Sequence, residues 1–284
     1  MSSFVIPDDG RFYIVNFSGG RTSAYMLWRI LDANGGQLPS NCAAVFCNTG
    51  REMPQTLDFV RDCGQRWNAP IVWLEYWFDE TARGVKGQPR QKHRVTDYES
   101  ASRNGEPFSQ LVRARKYLPN VIQRICTMEL KVRTVERWAR KDMGLRLSNV
   151  CNLLGIRADE PKRVRKALFE ECRTDYPLYH AGIDLDAVMG FWQDSDFDLY
   201  MDKIFGNCDL CFLKGKRQLL DLVRIQPQLA EWWIEIENWN HDFGRTAFNK
   251  RFTYSELLAE AQENPTIDFD WTDEDNPIDC FCGD

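Results

Sequence analysis

Four short apolar runs punctuate the first part of the chain: FYIVNF at 12–17, AAVFCN at 43–48, PIVWLEY at 70–76 and CNLLGI at 151–156. Each has the length and the β-branched or aromatic content of a buried strand. Between them, TSAYMLWRILDAN (22–34) and MPQTLDFVRDCGQRW (53–67) place apolar residues three and four apart, the spacing of amphipathic helices. Strands alternating with helices predict the α/β class: an open, doubly wound, mostly parallel sheet whose ligands sit at the carboxyl ends of the strands. Residues 79–107, with RGVKGQPRQ and SRNGEP, keep no steady period and read as a long insertion, placed like a lid near that edge. Helical spacing returns at PFSQLVRARKYL and through TMELKVRTVERWARKDM (127–143). From about residue 184 the pattern is mainly helical, interrupted at Pro227. Beyond Pro265 it becomes acidic and poor in apolar residues, the pattern of a loosely held tail. The chain is thereby divided into an α/β unit, 1–183, and a helical C-terminal extension with cysteines and an acidic tail, 184–284.

With 284 residues, 43% of them hydrophobic, the chain can bury a substantial core. No run of about 18 apolar residues occurs, and MSSFVIPDDGRF lacks the basic start and apolar stretch of a secretory signal. The expectation is a soluble, cytoplasmic protein without a membrane partner. In a reducing compartment ten cysteines are not a disulfide framework, which turns attention to metal ligation or thiol chemistry. The net charge of −6 is carried by the tail, because Phe252 to Asp284 holds ten acids and no base. Basic stretches at 82–94 (ARGVKGQPRQKHR) and 161–166 (PKRVRK) suit either solvated loops or a polyanion, which makes nucleic acid a candidate partner.

The segment FSGGRTS, between the first strand and the first helix, carries the clearest chemistry. Gly19 and Gly20 let backbone amides approach an anion at a helix start, Ser18, Thr22 and Ser23 add hydroxyls, and Arg21 adds a cation. Neither the phosphate loop ending in Gly-Lys-Ser/Thr nor the three-glycine dinucleotide spacing is present. The loop resembles the Ser-Gly-Gly-Lys-Asp-Ser of the PP-loop superfamily, specifically the phosphoadenosine phosphosulfate (PAPS) reductase family and its ATP pyrophosphatase relatives. NTGREMPQT (48–56) is similar to the family's Asp-Thr-Gly motif, RICTMELKV (124–132) to its Arg-x-Cys segment preceding a lysine, and GIRADEPKR (155–163) to its Gly-x-Arg motif. The four matches fall in the family's order between residues 14 and 163.

The resemblance implies a Rossmann-like fold of the adenine nucleotide alpha hydrolase type. It also implies an adenine nucleotide (PAPS, APS or ATP) seated on Ser18 to Ser23, with Asn48, Thr49 and Gly50 bordering it. Arg157, Arg163 and Lys131 would face its charged end. Arg21 stands where the family has lysine, and Thr22 where it has aspartate, a carboxylate the ATP-using relatives would need.

GNCDLCFLKGKR (206–217) holds the only Cys-x-x-Cys, a spacing that suits zinc or an iron–sulfur cluster. Three arrangements are open. Cys126, Cys208, Cys211 and a terminal cysteine such as Cys280 would hold the 4Fe-4S cluster that the resemblance implies. Cys208, Cys211, Cys280 and Cys282 would close a zinc site. Alternatively, the terminal cysteines are unligated and Cys282 is the nucleophile, in a CGD ending similar to the family's catalytic Glu-Cys-Gly tail. Cys42, Cys47, Cys63, Cys151 and Cys172 read as core, His93, His180 and His241 as surface or core residues, and EWWIEIENWN (231–240) as a packed helix.

The functional expectation is reductive sulfur chemistry on an activated sulfonucleotide, catalysed by Cys282, Arg157 and Lys131, with thioredoxin or a similar thiol donor as partner. The alternatives are an ATP-dependent sulfur transferase or nucleic-acid modification enzyme, and a nucleotide-binding protein without turnover.

Overall fold

A computed structural model describes residues 3–83, 89–164, 171–202, 204–241, 243 and 247–267. Its elements run β1 (Phe12–Phe17), α1 (Arg21–Ala33), β2 (Cys42–Asn48), α2 (Pro54–Arg66), β3 (Ile71–Arg83), β4 (Pro89–Thr96), α3 (Glu106–Arg115), then a π-helical turn (Thr127–Val132) leading into α4 (Arg133–Lys141). There follow β5 (Val150–Leu154), α5 (Pro161–Val164), β6 (Arg173–Asp175), α6 (Pro177–His180), α7 (Leu185–Gln193), α8 (Lys216–Ile225), α9 (Leu229–His241) and α10 (Tyr254–Glu263).

The strands form one sheet in the order β4-β3-β2-β1-β5-β6, parallel throughout except between β3 and β4. The chain builds outward from β1 through β2 and β3, then returns to place β5 on the other side of β1. The topological switch, where α/β sheets bind ligands, therefore lies between β1 and β5. Alternation along the strands sends Val15, Phe17, Phe46 and Trp73 to one face and Ile14, Val45 and Leu74 to the other. The first face is covered by α1, α2 and α7, the second by Val135, Trp138 and Ala139 of α4. Helices on both faces make the doubly wound α/β fold that the pattern predicts. A separate core joins Tyr76 and Phe78 of β3 to α3 and the helices α8 to α10 around Trp233.

Three segments differ from expectation. Residues 79–96 are not an irregular insertion: β3 runs on to Arg83 and β4 pairs with it antiparallel, with a register shift between Asp79 and Arg83. The hairpin is held by polar cross-strand pairs, Lys92 to Asp79 at 2.7 Å and Arg94 to the buried Glu75, so no apolar period marks it. The helix expected over 127–143 begins as a π-helical turn, in which the Glu129 carbonyl accepts from Thr134 Oγ1 at 2.8 Å and from Arg137 at 3.1 Å. The short strand β6 carried no recognisable signal. The expected tail lies almost wholly outside the described residues, and both basic stretches lie partly outside them. No helix among the described residues is long and apolar enough to cross a membrane.

Glu237 of α9 lies beneath the C-terminal segment, accepting the amides of Phe248 at 3.0 Å and Tyr254 at 2.8 Å. Burial pushes its carboxyl from 4.5 up to about 7, against the effect of those two donors. Between these values the unfolded chain releases the proton while the folded chain keeps it, so stability falls as pH rises, by up to about 1.4 kcal/mol per pH unit. Urea unfolding at about pH 5 and about pH 7 should show this loss in the wild type and a flatter response in Glu237→Gln.

Candidate functional site

The carboxyl end of β1 turns into α1 through Ser18, Gly19 and Gly20. Gly19 has φ +86°, and a Cβ there would lie 2.6 Å from Thr56 Cγ2, so only glycine fits against α2. The Ser18 amide donates to Ser23 Oγ at 3.1 Å, the two hydroxyls lie 2.8 Å apart, and Ser23 Oγ donates to the Gly20 carbonyl at 3.0 Å. These bonds close the loop on itself. Helix α1 begins on Gly20, and none of its own first-turn residues is acidic. From the far side of the switch point, Gly155 presses close: a Cβ there would be 3.0 Å from Ser23 Cα. The loops after β1 and β5 are thus in contact.

Arg157, 7% exposed, lies against this junction and donates to Thr22 Oγ1 at 3.1 Å. Asp159 at 3.0 Å and Glu160 at 3.6 Å share its charge. Arg163 pairs with Glu160. Arg21, expected to grip the anion, donates from Nε and a terminal nitrogen to the two oxygens of Asp198, both at 2.7 Å. Sequence reasoning missed Asp198, which lies 177 residues away along the chain and has no marking motif.

At the end of β2, Asn48 is wholly buried, donating to Glu75 at 2.6 Å and to the Ser102 carbonyl at 2.8 Å while accepting the Gly50 amide at 3.0 Å. Glu75, also wholly buried, further accepts the Ser102 amide at 2.7 Å, the Ser102 hydroxyl at 2.9 Å and Arg94 Nε at 2.8 Å. The Thr49 amide and hydroxyl donate to the Glu52 carboxylate, at 2.8 and 2.9 Å. Burial raises the Glu52 pKa, and the charge of Lys131 opposes the rise. Glu75 had a signal that could have been read, a lone acid in the apolar run PIVWLEY.

The Cys-x-x-Cys segment docks on these strand ends. Asn207 donates its side-chain amide to the Ser18 carbonyl at 3.1 Å, and its own carbonyl accepts the Met53 amide at 3.1 Å. Glu52 bridges to Cys208, and the Asp209 amide donates to the Arg51 carbonyl at 3.0 Å. Beneath them Arg51 and Asp209 form a buried ion pair, which Trp233 Nε1 joins at 3.0 Å. Cys126 and Cys211 pack at the edge of the C-terminal core. Among the described residues no three His, Cys, Asp or Glu side chains are grouped to hold a metal ion, so Cys126, Cys208 and Cys211 do not by themselves fit a cluster or a closed zinc site. Cys280 and Cys282 lie outside the described residues. Cys42, Cys63 and Cys151 are core. Burial raises their thiols, Cys42 to about 12 and Cys151 to about 11, far from the thiolate a nucleophile needs. His93 and His180 pair with Asp142 and Asp175, each at 2.9 Å.

No family model matches the chain. Over 231 residues, 80% of this chain and 75% of the other, it is 30% identical to the uncharacterized nin region protein ORF290 of Escherichia phage lambda. The chain belongs to the ORF290 family. Among solved structures it is similar to the PAPS reductase of Candida auris in its phosphate complex, with 16% identity over 66% of this chain and 73% of that one, at a TM-score of 0.37.

Two substitutions test how this ORF290-family site is built. Gly19→Ala combines a left-handed backbone with the collision at Thr56, and should lower stability by about 1–3 kcal/mol in denaturant titration. Glu75→Ala removes the shared acceptor of Asn48, Ser102 and Arg94, and should cost on the order of 3 kcal/mol by the same measurement.

Proposed function

We propose that the chain is a nucleotide-binding enzyme of the PAPS reductase type, taking the charged end of an activated adenine sulfonucleotide on the loop from Ser18 to Ser23. The observation that carries this reading is the junction at the switch point. There a closed glycine loop, a helix start with no acid of its own and the buried Arg157 guanidinium meet at Thr22. Thr22 also favours a sulfonucleotide over ATP. The loop offers a hydroxyl and a guanidinium rather than a carboxylate that would hold a metal-bound triphosphate.

In this reading the α1 amides and Arg157 neutralise the phosphate next to the sulfonate, and Lys131 faces the same charge from the π-helical turn. Cys282 supplies the thiolate. It attacks the sulfonate sulfur, the bond from that sulfur to the bridging oxygen breaks, and the nucleotide leaves with the electron pair as its phosphate. Stabilising that leaving phosphate is the task of the loop. A thiol donor such as thioredoxin then attacks the cysteine sulfur, sulfite leaves, and a mixed disulfide remains to be reduced by the donor's second thiol.

Calorimetry of the full chain with adenosine 3′,5′-bisphosphate, PAPS and ATP, with and without magnesium, tests the binding half. The bisphosphate and PAPS should bind without magnesium. Gly20→Asp should weaken both about a hundredfold, since the Gly20 backbone is extended, a conformation open to any residue, and the new carboxylate opposes the phosphate. Sulfite release from PAPS with thioredoxin, lost in Cys282→Ser, tests the chemistry. Binding of ATP alone, or unchanged affinity in Gly20→Asp, would overturn the reading.

A further inference from the structure

Between Leu111 and Leu147 the chain carries ten Lys and Arg against three acids, in a molecule whose net charge is −6. Folding sorts these charges by depth. Glu129 is 2% exposed and Glu136 half-buried, and the exposed Asp142 is paired with His93 at 2.9 Å. In contrast, Arg113, Arg115 and Lys116 at the end of α3, and Arg133, Arg140 and Lys141 on α4, are exposed.

The cations form a connected rank. On α4, Val135, Trp138 and Ala139 face the sheet, Arg133 and Arg140 are exposed, and Arg137 is turned inward over the buried Tyr76 ring, 5.5 Å from its centroid. At the start of the helix the buried Glu129 carboxylate gathers Arg115 from α3, Arg133 at 2.5 Å and Arg137 at 3.7 Å. The half-buried Glu136 is a second acid beside Arg133, Arg137 and Arg140, so two carboxylates anchor these guanidiniums. They are held in place before any partner arrives, which lowers the ordering cost of binding. Arg140 also reaches the exposed Glu171 at 2.6 Å, a solvent-open pair that a phosphate can replace.

We propose that this α3–α4 face binds the phosphate backbone of a nucleic acid, without reading its sequence. Exposed cations spread from the end of α3 along α4 match a linear polyanion better than a single anion, and arginine forks suit phosphate oxygens. An anionic membrane fits less well. A helix lying on a bilayer needs an apolar face for the lipid, and α4 turns its apolar face to the sheet; the exposed Val121, Ile122 and Met143 belong to the loops before and after it. The inference does not depend on the nucleotide loop, since none of these residues belongs to it.

Fluorescence anisotropy of the full chain with a short labelled single-stranded DNA, its duplex and a tRNA, across a salt series, supplies the test. Vesicles containing phosphatidylserine form a separate arm. Binding to at least one nucleic acid is expected at low salt, with log affinity falling linearly against log salt at a slope of about −0.9 per phosphate neutralised on duplex DNA. The variant Arg140→Ala/Lys141→Ala, in solvent-facing positions that leave the Glu129 cluster intact, should weaken binding at least about tenfold and reduce the slope by about two. Its circular dichroism and its affinity for adenosine 3′,5′-bisphosphate should match the wild type. Adding Arg113→Ala/Lys116→Ala should weaken nucleic-acid binding further. No binding to any of the three nucleic acids, an unaltered salt slope in both variants, or binding to vesicles alone would overturn the inference. Loss of bisphosphate binding with nucleic-acid binding retained would instead count against the nucleotide reading.

Discussion

A single carboxylate hidden from water organises the upper edge of the sheet. Glu75 is the meeting point of β2 through Asn48, of β4 through Arg94, and of the connection to α3 through Ser102. Polar oxygens buried in such a place need donors around them, and those donors come from three separate stretches of chain. Satisfying it forces the stretches into one arrangement. Asn48 then orients the Gly50 amide, and the Gly50 carbonyl accepts the Gly105 amide at 2.8 Å, so the turn after β2 is fixed relative to α3.

Much of the layout was legible because it rests on local rules. The strand-to-helix units β1–α1 and β2–α2 announce themselves by apolar period, by glycine at one turn and by Pro54 at the first position of α2. The hairpin of β3 and β4 was not legible. Its alternation is between charged partners on facing strands, such as Lys92 with Asp79, and period-based reading assigns meaning only to apolar residues. The π-helical turn was hidden for another reason. One inserted residue leaves composition unchanged and alters only the phase between Glu129 and α4.

Within the candidate site the division is similar. Glycines and hydroxyls of the loop can be read from a contiguous motif, because backbone conformation is a local property. The destination of each charge cannot. Arg21 resembles a phosphate ligand until Asp198 is folded beside it, and Arg163 is turned toward Glu160, three residues earlier. Arg157 donates to Thr22 from the neighbouring strand end.

The loop after β1 is clasped from both flanks by sequence that comes much later. Asp198 takes hold of Arg21 on one side and Asn207 takes hold of the Ser18 carbonyl on the other, with the Trp192 indole donating to the Arg21 carbonyl at 3.1 Å between them. The geometry of the cradle is therefore common property of the two halves of the chain. A displacement of the later segment, by a partner seated on it or by a change in its thiols, would be transmitted to the loop after β1 as a shift of its walls and not only of its surroundings.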